Sequence, residues 1–303
     1  MKVVYFILLL ATSMLWAGNF VAGKFTVGHA DPLMMSFLRY VIAVAVLFPL
    51  VRWKERKFWP SRSSLLPLIG MGATGIFLFN LFMFQALQHT SAINTGIISA
   101  LNPLAIALMT FIFTGQRLNG KQRLGMLTGL IGVVIVITRG KVDQLFALSF
   151  NMGDLYMVAA VLTWGVYSVL TKFTLKDEVG PLFATFWAGL FGLGLMLPFI
   201  WGEMTISSPD TSFWIALLYI GIGATVLAML FWNIGVQKVG GTQSGMFLNF
   251  NPVFTALFAY IWIGESLTWP QAAGTMVVIA GVWLYTLGNI EKVNRSSETP
   301  ASP

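Results

Sequence analysis

The sequence predicts an all-α integral membrane protein with ten transmembrane helices, arranged as two inverted five-helix repeats with both termini in the cytoplasm. Three observations predict this fold: an apolar composition, ten apolar runs and an internal repeat. Of the 303 residues, 57% are hydrophobic and 10% are charged, whereas globular chains carry about 25% charged residues. A mean hydropathy of +0.79 is too high for one soluble core. This composition excludes a water-soluble enzyme, a disordered chain and a nucleic-acid-binding domain.

Ten apolar runs have about the length of roughly 20 residues that a helix needs to cross a bilayer. They lie near 4–23, 33–51, 64–87, 91–114, 122–138, 153–173, 181–201, 212–236, 241–263 and 270–288. Short loops separate these runs, and a polar tail at 291–303 follows the last one. No segment is long enough for a separate soluble domain.

An ordered series of matches relates the first half of the chain to the second. Trp16 recurs as Trp164, 148 residues later, and Asn102-Pro103 recurs as Asn251-Pro252, 149 residues later. Further matches at that spacing are Gly115/Gly264, Leu118/Leu267, Gln122/Gln271, Gly125/Gly274 and Gly132/Gly281. We therefore expect a first five-helix repeat over 1–145 and a second over 150–290.

The basic residues predict the orientation of the two repeats. Because five is odd, the second repeat must enter the membrane upside down. With the N-terminus inside, 14 of the 18 Lys and Arg residues fall on the cytoplasmic side, as the positive-inside rule requires. The loop after the second span is basic, whereas its equivalent after the seventh holds Glu203 and Asp210 and no basic residue. The net charge of +7 is therefore mainly a topology signal.

Inverted repeats with short loops are typical of secondary transporters, whose substrate site lies near the midplane beside broken helices. The Trp16 and Trp164 segments, the two Asn-Pro pairs and the run 264–268 (GESLT) resemble the EamA family of the drug/metabolite transporter superfamily. The resemblance implies movement of amino acids and other small metabolites, often as export, through the bacterial inner membrane. One departure is Gln116, which stands where the second repeat has the family-like Glu265.

Two prolines predict helix breaks in the fourth and ninth spans. Pro103 and Pro252 each remove one helix hydrogen bond and free the carbonyl group four residues earlier. A freed carbonyl beside an Asn amide is a good polar contact for a substrate. The predicted substrate-binding faces hold Thr95, Ser99 and Asn102 on one span, and Ser244, Phe247 and Asn251 on the other. A packing kink that the Asn side chain repairs is the alternative interpretation.

Aromatic and amide side chains predict a second part of the binding site. Trp16 with Asn19, and Trp164 with Tyr167, lie well inside the first and sixth spans. They suit an amphipathic or aromatic substrate, although Trp side chains in membrane proteins are also common at the lipid interface. Asn80 in the third span has an apolar counterpart, which makes it a candidate specificity residue.

The charged residues inside or beside the spans allow more than one role. Arg39 is the only cation deep within a predicted span, and it either binds a substrate carboxylate, snorkels, or pairs with helix-end carbonyl groups. Lys24 and Lys172 end the first and sixth spans as interface anchors or gate residues. Glu265 is interpreted as a turn residue rather than a proton carrier.

The sequence favours an alternating-access secondary transporter that exports amino acids or related amphipathic compounds. A multidrug or organic-cation proton antiporter is the alternative, and an acidic residue deep in the site would favour it. Glycines of the fifth and tenth spans either join the halves or form a homodimer. With no cysteine and two histidines, we expect no metal, no cofactor and no enzymatic activity, and the expected partners are a small-molecule substrate and the lipid bilayer.

Overall fold

The computed structural model describes residues 3–55, 58–115, 118–141, 151–174, 179–200, 206–239 and 247–298. Its helices are α1 Val3–Lys24, α2 Pro32–Lys54, α3 Arg62–Met71, α4 Phe79–His89, α5 Ala92–Ser99, α6 Asn102–Thr114, α7 Gly120–Ile137, α8 Met152–Thr174, α9 Pro181–Ile200, α10 Thr211–Leu218, α11 Ala228–Val239, α12 Asn251–Ile263 and α13 Trp269–Glu298. A π-helix, π1 Gly72–Leu78, joins α3 to α4, and a second, π2 Tyr219–Leu227, joins α10 to α11. A 3₁₀ turn, Leu248–Phe250, leads into α12. This part of the chain is all helical apart from one isolated bridge between Ala30 and Ile206.

Eight helical segments of the described chain are long and apolar enough to cross a membrane. The bent pair of α5 and α6 adds a ninth if it forms one span, and the shorter apolar segment Leu248–Ile263 corresponds to the ninth predicted run. An all-helical, multi-span membrane protein is therefore the observed fold class. The count of ten spans and the side on which the termini lie stay predictions.

The two Asn-Pro pairs begin new helices. The helix axis bends by 43° between α5, which ends at Ser99, and α6, which begins at Asn102. Pro103 and Pro252 lie in the first turns of α6 and α12, where a missing backbone N–H costs nothing. Both helices then end at a glycine with a φ of 67°, a left-handed cap that favours glycine. A break therefore separates α5 from α6, and a 3₁₀ turn precedes α12, in each case directly before the Asn residue.

Two π-helical turns interrupt the third and eighth predicted spans. Such turns are rare and occur frequently at functional sites. Side chains satisfy carbonyl groups in both: the Asn80 amide donates to the carbonyl of Ile76 at 2.8 Å, and the Thr225 hydroxyl donates to that of Ile220 at 2.8 Å. These hydrogen bonds fix the orientation of Asn80 and Thr225.

The glycines of the fifth and tenth predicted spans bring α7 against α13. A Cβ atom on Gly125 would lie 2.5 Å from the backbone nitrogen of Tyr285, and one on Gly281 would lie 2.4 Å from that of Gly129. The two backbones therefore touch at positions where no other residue fits without a shift. The close approach that these glycines permit is made within one chain.

The buried apolar residues of α2 before Arg39 belong to one cluster, and those after it belong to another. Met34 and Met35 belong to one cluster, and Tyr40, Ala43 and further α2 residues belong to the other. Arg39 itself is 5% exposed. The polar site of the molecule thus lies between its two apolar cores.

Candidate functional site

A small cavity of about 60 Å³ lies where the two Asn-Pro helix starts, the π-helical turns and α1, α2 and α8 converge. This volume is well below the range of about 300–1,000 Å³ that is usual for small-molecule sites, so a small solute requires the cavity to widen. Nine of the predicted site residues line it: Trp16, Asn19, Arg39, Asn80, Ser99, Asn102, Trp164, Tyr167 and Asn251. They come from both halves of the chain, so the cavity is built between the two predicted repeats.

Arg39 is the charged side chain of the described lining. Its Nε atom donates to the Thr225 hydroxyl at 2.5 Å, and its Nη1 atom donates to the Asn80 side-chain oxygen at 2.7 Å. Both partners are neutral, and no carboxylate pairs with Arg39 among the residues described. The guanidinium group carries five N–H donors, of which these bonds use two. Arg39 thus links π2 to the start of α4 and has N–H donors beyond those used in these two bonds.

Three amide oxygens of the cavity have no hydrogen-bond partner. They are the side-chain oxygens of Asn19, Asn102 and Asn251, and these side chains are 4%, 8% and 3% exposed. The Asn19 amide nitrogen contacts the sulfur of Met83 at 3.2 Å. A buried acceptor without a donor costs about 1–3 kcal/mol, so a ligand N–H or a water molecule at these oxygens is stabilised.

Aromatic rings form one wall of the cavity. The ring of Trp16 lies 6.1 Å from that of Trp164 and 5.5 Å from that of Trp232. The ring centroid of Trp164 lies 5.0 Å from that of Phe79 and 4.8 Å from that of Tyr167. The Trp16 indole N–H donates to the carbonyl of Ala224 at 3.0 Å, which ties α1 to π2. The side chains of Trp16 and Trp164 therefore line the cavity and are partly buried.

Glu265 joins the loop before α13 to the start of α5. Its two carboxylate oxygens accept hydrogen bonds from the backbone N–H groups of Ala92 and Ile93, each at 3.2 Å. Helix N-terminal N–H groups lack partners within their own helix and favour a negative charge. A residue predicted to lie in a turn therefore also caps a helix that lies about 170 residues earlier in the chain.

A polar network surrounds this cap on the predicted outer side. Asp154 accepts hydrogen bonds from the Thr90 hydroxyl at 2.6 Å and from the Asn94 amide at 3.1 Å. The Asn94 oxygen accepts in turn from the Gln271 amide at 2.6 Å. The network joins α5, α8 and α13 above the central cavity. Thr90, Asn94 and Gln271 also line a second cavity at this end of the bundle.

The remaining predicted site residues lie elsewhere. Thr95 is fully buried and donates to the carbonyl of Ser91, and the Phe247 ring packs on Phe6 at 5.5 Å; neither lines the cavity. Lys24 donates to the carbonyl of Leu87 at 2.6 Å and lines the second cavity, together with Glu265. Ser244, Gln116 and the side chain of Lys172 lie outside the described residues.

Several lining residues were not predicted from the sequence. They are Phe20, Tyr40, Ile76, Phe79, Met83, Ala224, Thr225, Met229, Trp232 and Leu248. The repeated Gly-Ala-Thr motif, residues 72–74 and 223–225, was visible in the sequence and contains Thr225. The position of Thr225 at the cavity depends on a π-helical turn, and such turns have no strong sequence signal.

A multi-span helical bundle around a buried, partly polar cavity is typical of membrane transporters of small solutes. Comparison with known sequences agrees. Residues 3–138 and residues 151–287 each match the EamA-like transporter family. The chain belongs to this family.

Curated relatives support this assignment, and a solved structure shows the fold. The uncharacterized transporter YyaM of Bacillus subtilis is 31% identical over 91% of this chain and 92% of its own length. A probable amino-acid metabolite efflux pump of Salmonella typhimurium and the biotin transporter of Escherichia coli are each 25% identical, and each covers 92% or more of its own length. A crystal structure with a TM-score of 0.65 and 22% identity covers 99% of this chain and 100% of its own, and it shows the same fold.

Proposed function

We propose that this chain is an alternating-access secondary transporter of the bacterial inner membrane that exports amino acids or related amphipathic compounds. The observation that carries the proposal is the cavity itself. It lies between helices from both halves, and it combines one buried cation, three unpaired amide oxygens and an aromatic wall. A solute with polar ends and an apolar part matches these three features.

The irregular helices support an alternating-access mechanism. The break before α6, the 3₁₀ turn before α12 and both π-helical turns border the cavity, so the backbone is irregular where cargo would bind. In secondary transporters such discontinuous helices lie at the substrate site, and alternating access is a rocking of one repeat against the other. We infer the direction, export, and the cargo, amino acids, from the family and from the relative named as an amino-acid metabolite efflux pump.

Proton-coupled efflux of organic cations is the second candidate, and the tryptophans favour it. Three indole rings near one another suit a cation through cation–π attraction. Such an antiporter needs a carboxylate that exchanges cargo for a proton. The described lining of the central cavity holds the cation Arg39 and no carboxylate. This charge favours cargo that is zwitterionic or anionic.

The test is a substrate screen with purified protein in liposomes. Uptake of each of the twenty amino acids and of tetraphenylphosphonium is measured with and without a proton gradient, and protein-free liposomes serve as the control. We expect uptake of one or more amino acids and none of tetraphenylphosphonium. Gradient-driven movement of tetraphenylphosphonium, with no amino-acid uptake, would establish the second candidate instead.

A further inference from the structure

We propose that the central cavity recognises its cargo by the two ends of an amino acid: Arg39 binds the carboxylate, and the amides of Asn19, Asn102 and Asn251 bind the amino group. This inference rests on the proposed function and names the chemical basis of its selectivity. It assigns an opposite electrostatic character to two groups of residues that line one cavity. The apolar side chain of the cargo then lies against the aromatic wall.

The carboxylate end follows from the partners of Arg39. A buried guanidinium group is always charged and needs compensation, yet its hydrogen bonds go to a hydroxyl and to an amide oxygen. Neutral partners leave the charge unbalanced in an apolar surrounding. A cargo carboxylate supplies the missing negative charge and accepts hydrogen bonds from the unused N–H donors. Charge-assisted hydrogen bonds of this kind are about twice as strong as neutral ones.

The amino end follows from the orphaned oxygens. Asn19 lies on α1, Asn102 begins α6 and Asn251 begins α12, so three separate elements bring buried acceptors to one cavity. An ammonium group has three N–H donors and no acceptor, so it can donate to amide oxygens that lack a partner. Because the amides carry no formal charge, they bind an ammonium group without themselves titrating.

The aromatic wall selects the rest of the molecule. Trp16, Trp164, Trp232 and Phe79 line the cavity beside Met83 and Met229. Apolar and aromatic groups of this kind bind an apolar side chain by burial of its surface. L-Phenylalanine is therefore the probe that uses all three parts of the cavity. Phenethylamine lacks its carboxylate, and 3-phenylpropionate lacks its amino group.

The experiment measures binding of these three radiolabelled compounds to detergent-purified protein by equilibrium dialysis. In the wild type we expect L-phenylalanine to bind about tenfold or more tightly than either analogue, because each analogue loses one polar end. Arg39→Gln should weaken binding of L-phenylalanine and 3-phenylpropionate about tenfold and leave phenethylamine unchanged. Arg39→Lys keeps the charge and should lose less affinity for L-phenylalanine and 3-phenylpropionate.

Asn102→Leu and Asn251→Leu should give the converse pattern, weakening L-phenylalanine and phenethylamine but not 3-phenylpropionate. Two matched control variants test whether the loss of binding is specific to residues that line the cavity. Arg123→Gln removes an exposed cation on α7, and Asn249→Leu removes a buried amide oxygen that also lacks a partner but lies outside the lining. Neither control should change the binding of any probe.

The outcomes separate this inference from the proposed function. If Arg39→Gln weakens the binding of all three probes equally, Arg39 only holds π2 and α4 together. That result would overturn the inference. Wild-type protein that binds phenethylamine as tightly as L-phenylalanine, or binds none of the three, would overturn it without reference to any variant. Amino-acid uptake by the wild type in liposomes decides the proposed function independently of these results.

Discussion

At the scale of single residues, the arrangement around Arg39 determines the character of the cavity. The guanidinium group is held by Thr225 and Asn80, and each of these side chains also repairs a carbonyl group of a π-helical turn. One cation therefore depends on two helix irregularities in opposite halves of the chain. The sequence predicted Arg39 and Asn80 as separate candidates. Their pairing is a contact across 41 residues, and the bond to Thr225 spans 186, so neither follows from local pattern.

The Thr225 hydroxyl provides a direct test of this arrangement. Thr225→Val keeps the shape of the side chain and removes both the acceptor for Arg39 and the donor to Ile220. We expect a loss of about 1–3 kcal/mol in stability, because a buried N–H of Arg39 is left without its partner. The measurement is the fraction of monodisperse protein after heating in detergent.

Thr128→Val is the matched control for that substitution. Thr128 is a half-buried residue of α7, and its hydroxyl donates only to the carbonyl of Leu124 in its own helix. It should leave the melting temperature within about a degree of the wild type. Equal melting temperatures for the two variants would show that Thr225 does not hold Arg39.

At the scale of helices, the short helix α5 connects the outer end of the bundle to the cavity. Glu265 caps its first N–H groups, and Ser99 at its last residue lines the cavity. Because α5 has only eight residues, its position depends on what holds its two ends. The Asn-Pro pairs predicted where the helices begin. The Glu265 contact was not predictable, because it joins a loop to the start of a helix that is distant in the sequence.

Removal of the Glu265 carboxylate should loosen the start of α5. Glu265→Ala leaves the N–H groups of Ala92 and Ile93 without acceptors, so hydrogen exchange at these amides should accelerate about tenfold or more. Glu265→Gln keeps one acceptor oxygen, and we expect smaller acceleration and substantial substrate flux. Ser266→Ala in the same loop is the control. Unchanged exchange in Glu265→Ala would refute the cap.

The contact between α7 and α13 should tolerate no added methyl group. A Cβ on Gly281 would lie 2.4 Å from the backbone nitrogen of Gly129, and backbone atoms cannot move aside as a flexible side chain does. Gly281→Ala should therefore destabilise the protein by about 1–3 kcal/mol, measured by thermal unfolding in detergent. Gly194→Ala on α9, where nothing lies within 4 Å of the added atom, should be neutral or slightly stabilising. Equal stability of both variants would contradict this packing.

At the scale of the whole molecule, the internal repeat explains why so much was predictable. The spacing of 148 to 149 residues identified the paired Trp and Asn-Pro positions, and all of these except the prolines line one cavity. Hydropathy predicted the helices because apolar length is a strong signal. The residues between the repeated positions, such as Met83, Met229 and Trp232, have no pattern that separates cavity from core. Their role depends on how the helices pack.

The predicted inversion of the repeats is tested by reporters of membrane side. A reporter fused after Arg56 should report the cytoplasm, because that loop is basic, and one fused after Asp210 should report the exterior. Alkaline phosphatase and green fluorescent protein fusions at both positions give opposite signals. The same side for both positions would exclude two inverted five-helix repeats.

Counterflow in liposomes tests most directly the central claim, that one cavity carries a small metabolite by alternating access. Liposomes that hold purified protein are loaded with unlabelled L-phenylalanine and diluted into a trace of labelled L-phenylalanine. We predict transient accumulation of label above its equilibrium level in the wild type, and a loss of this overshoot in Asn102→Leu and Asn251→Leu but not in Asn249→Leu. Label that enters no faster into loaded than into empty liposomes would contradict the account, because it would indicate a channel or no transport at all.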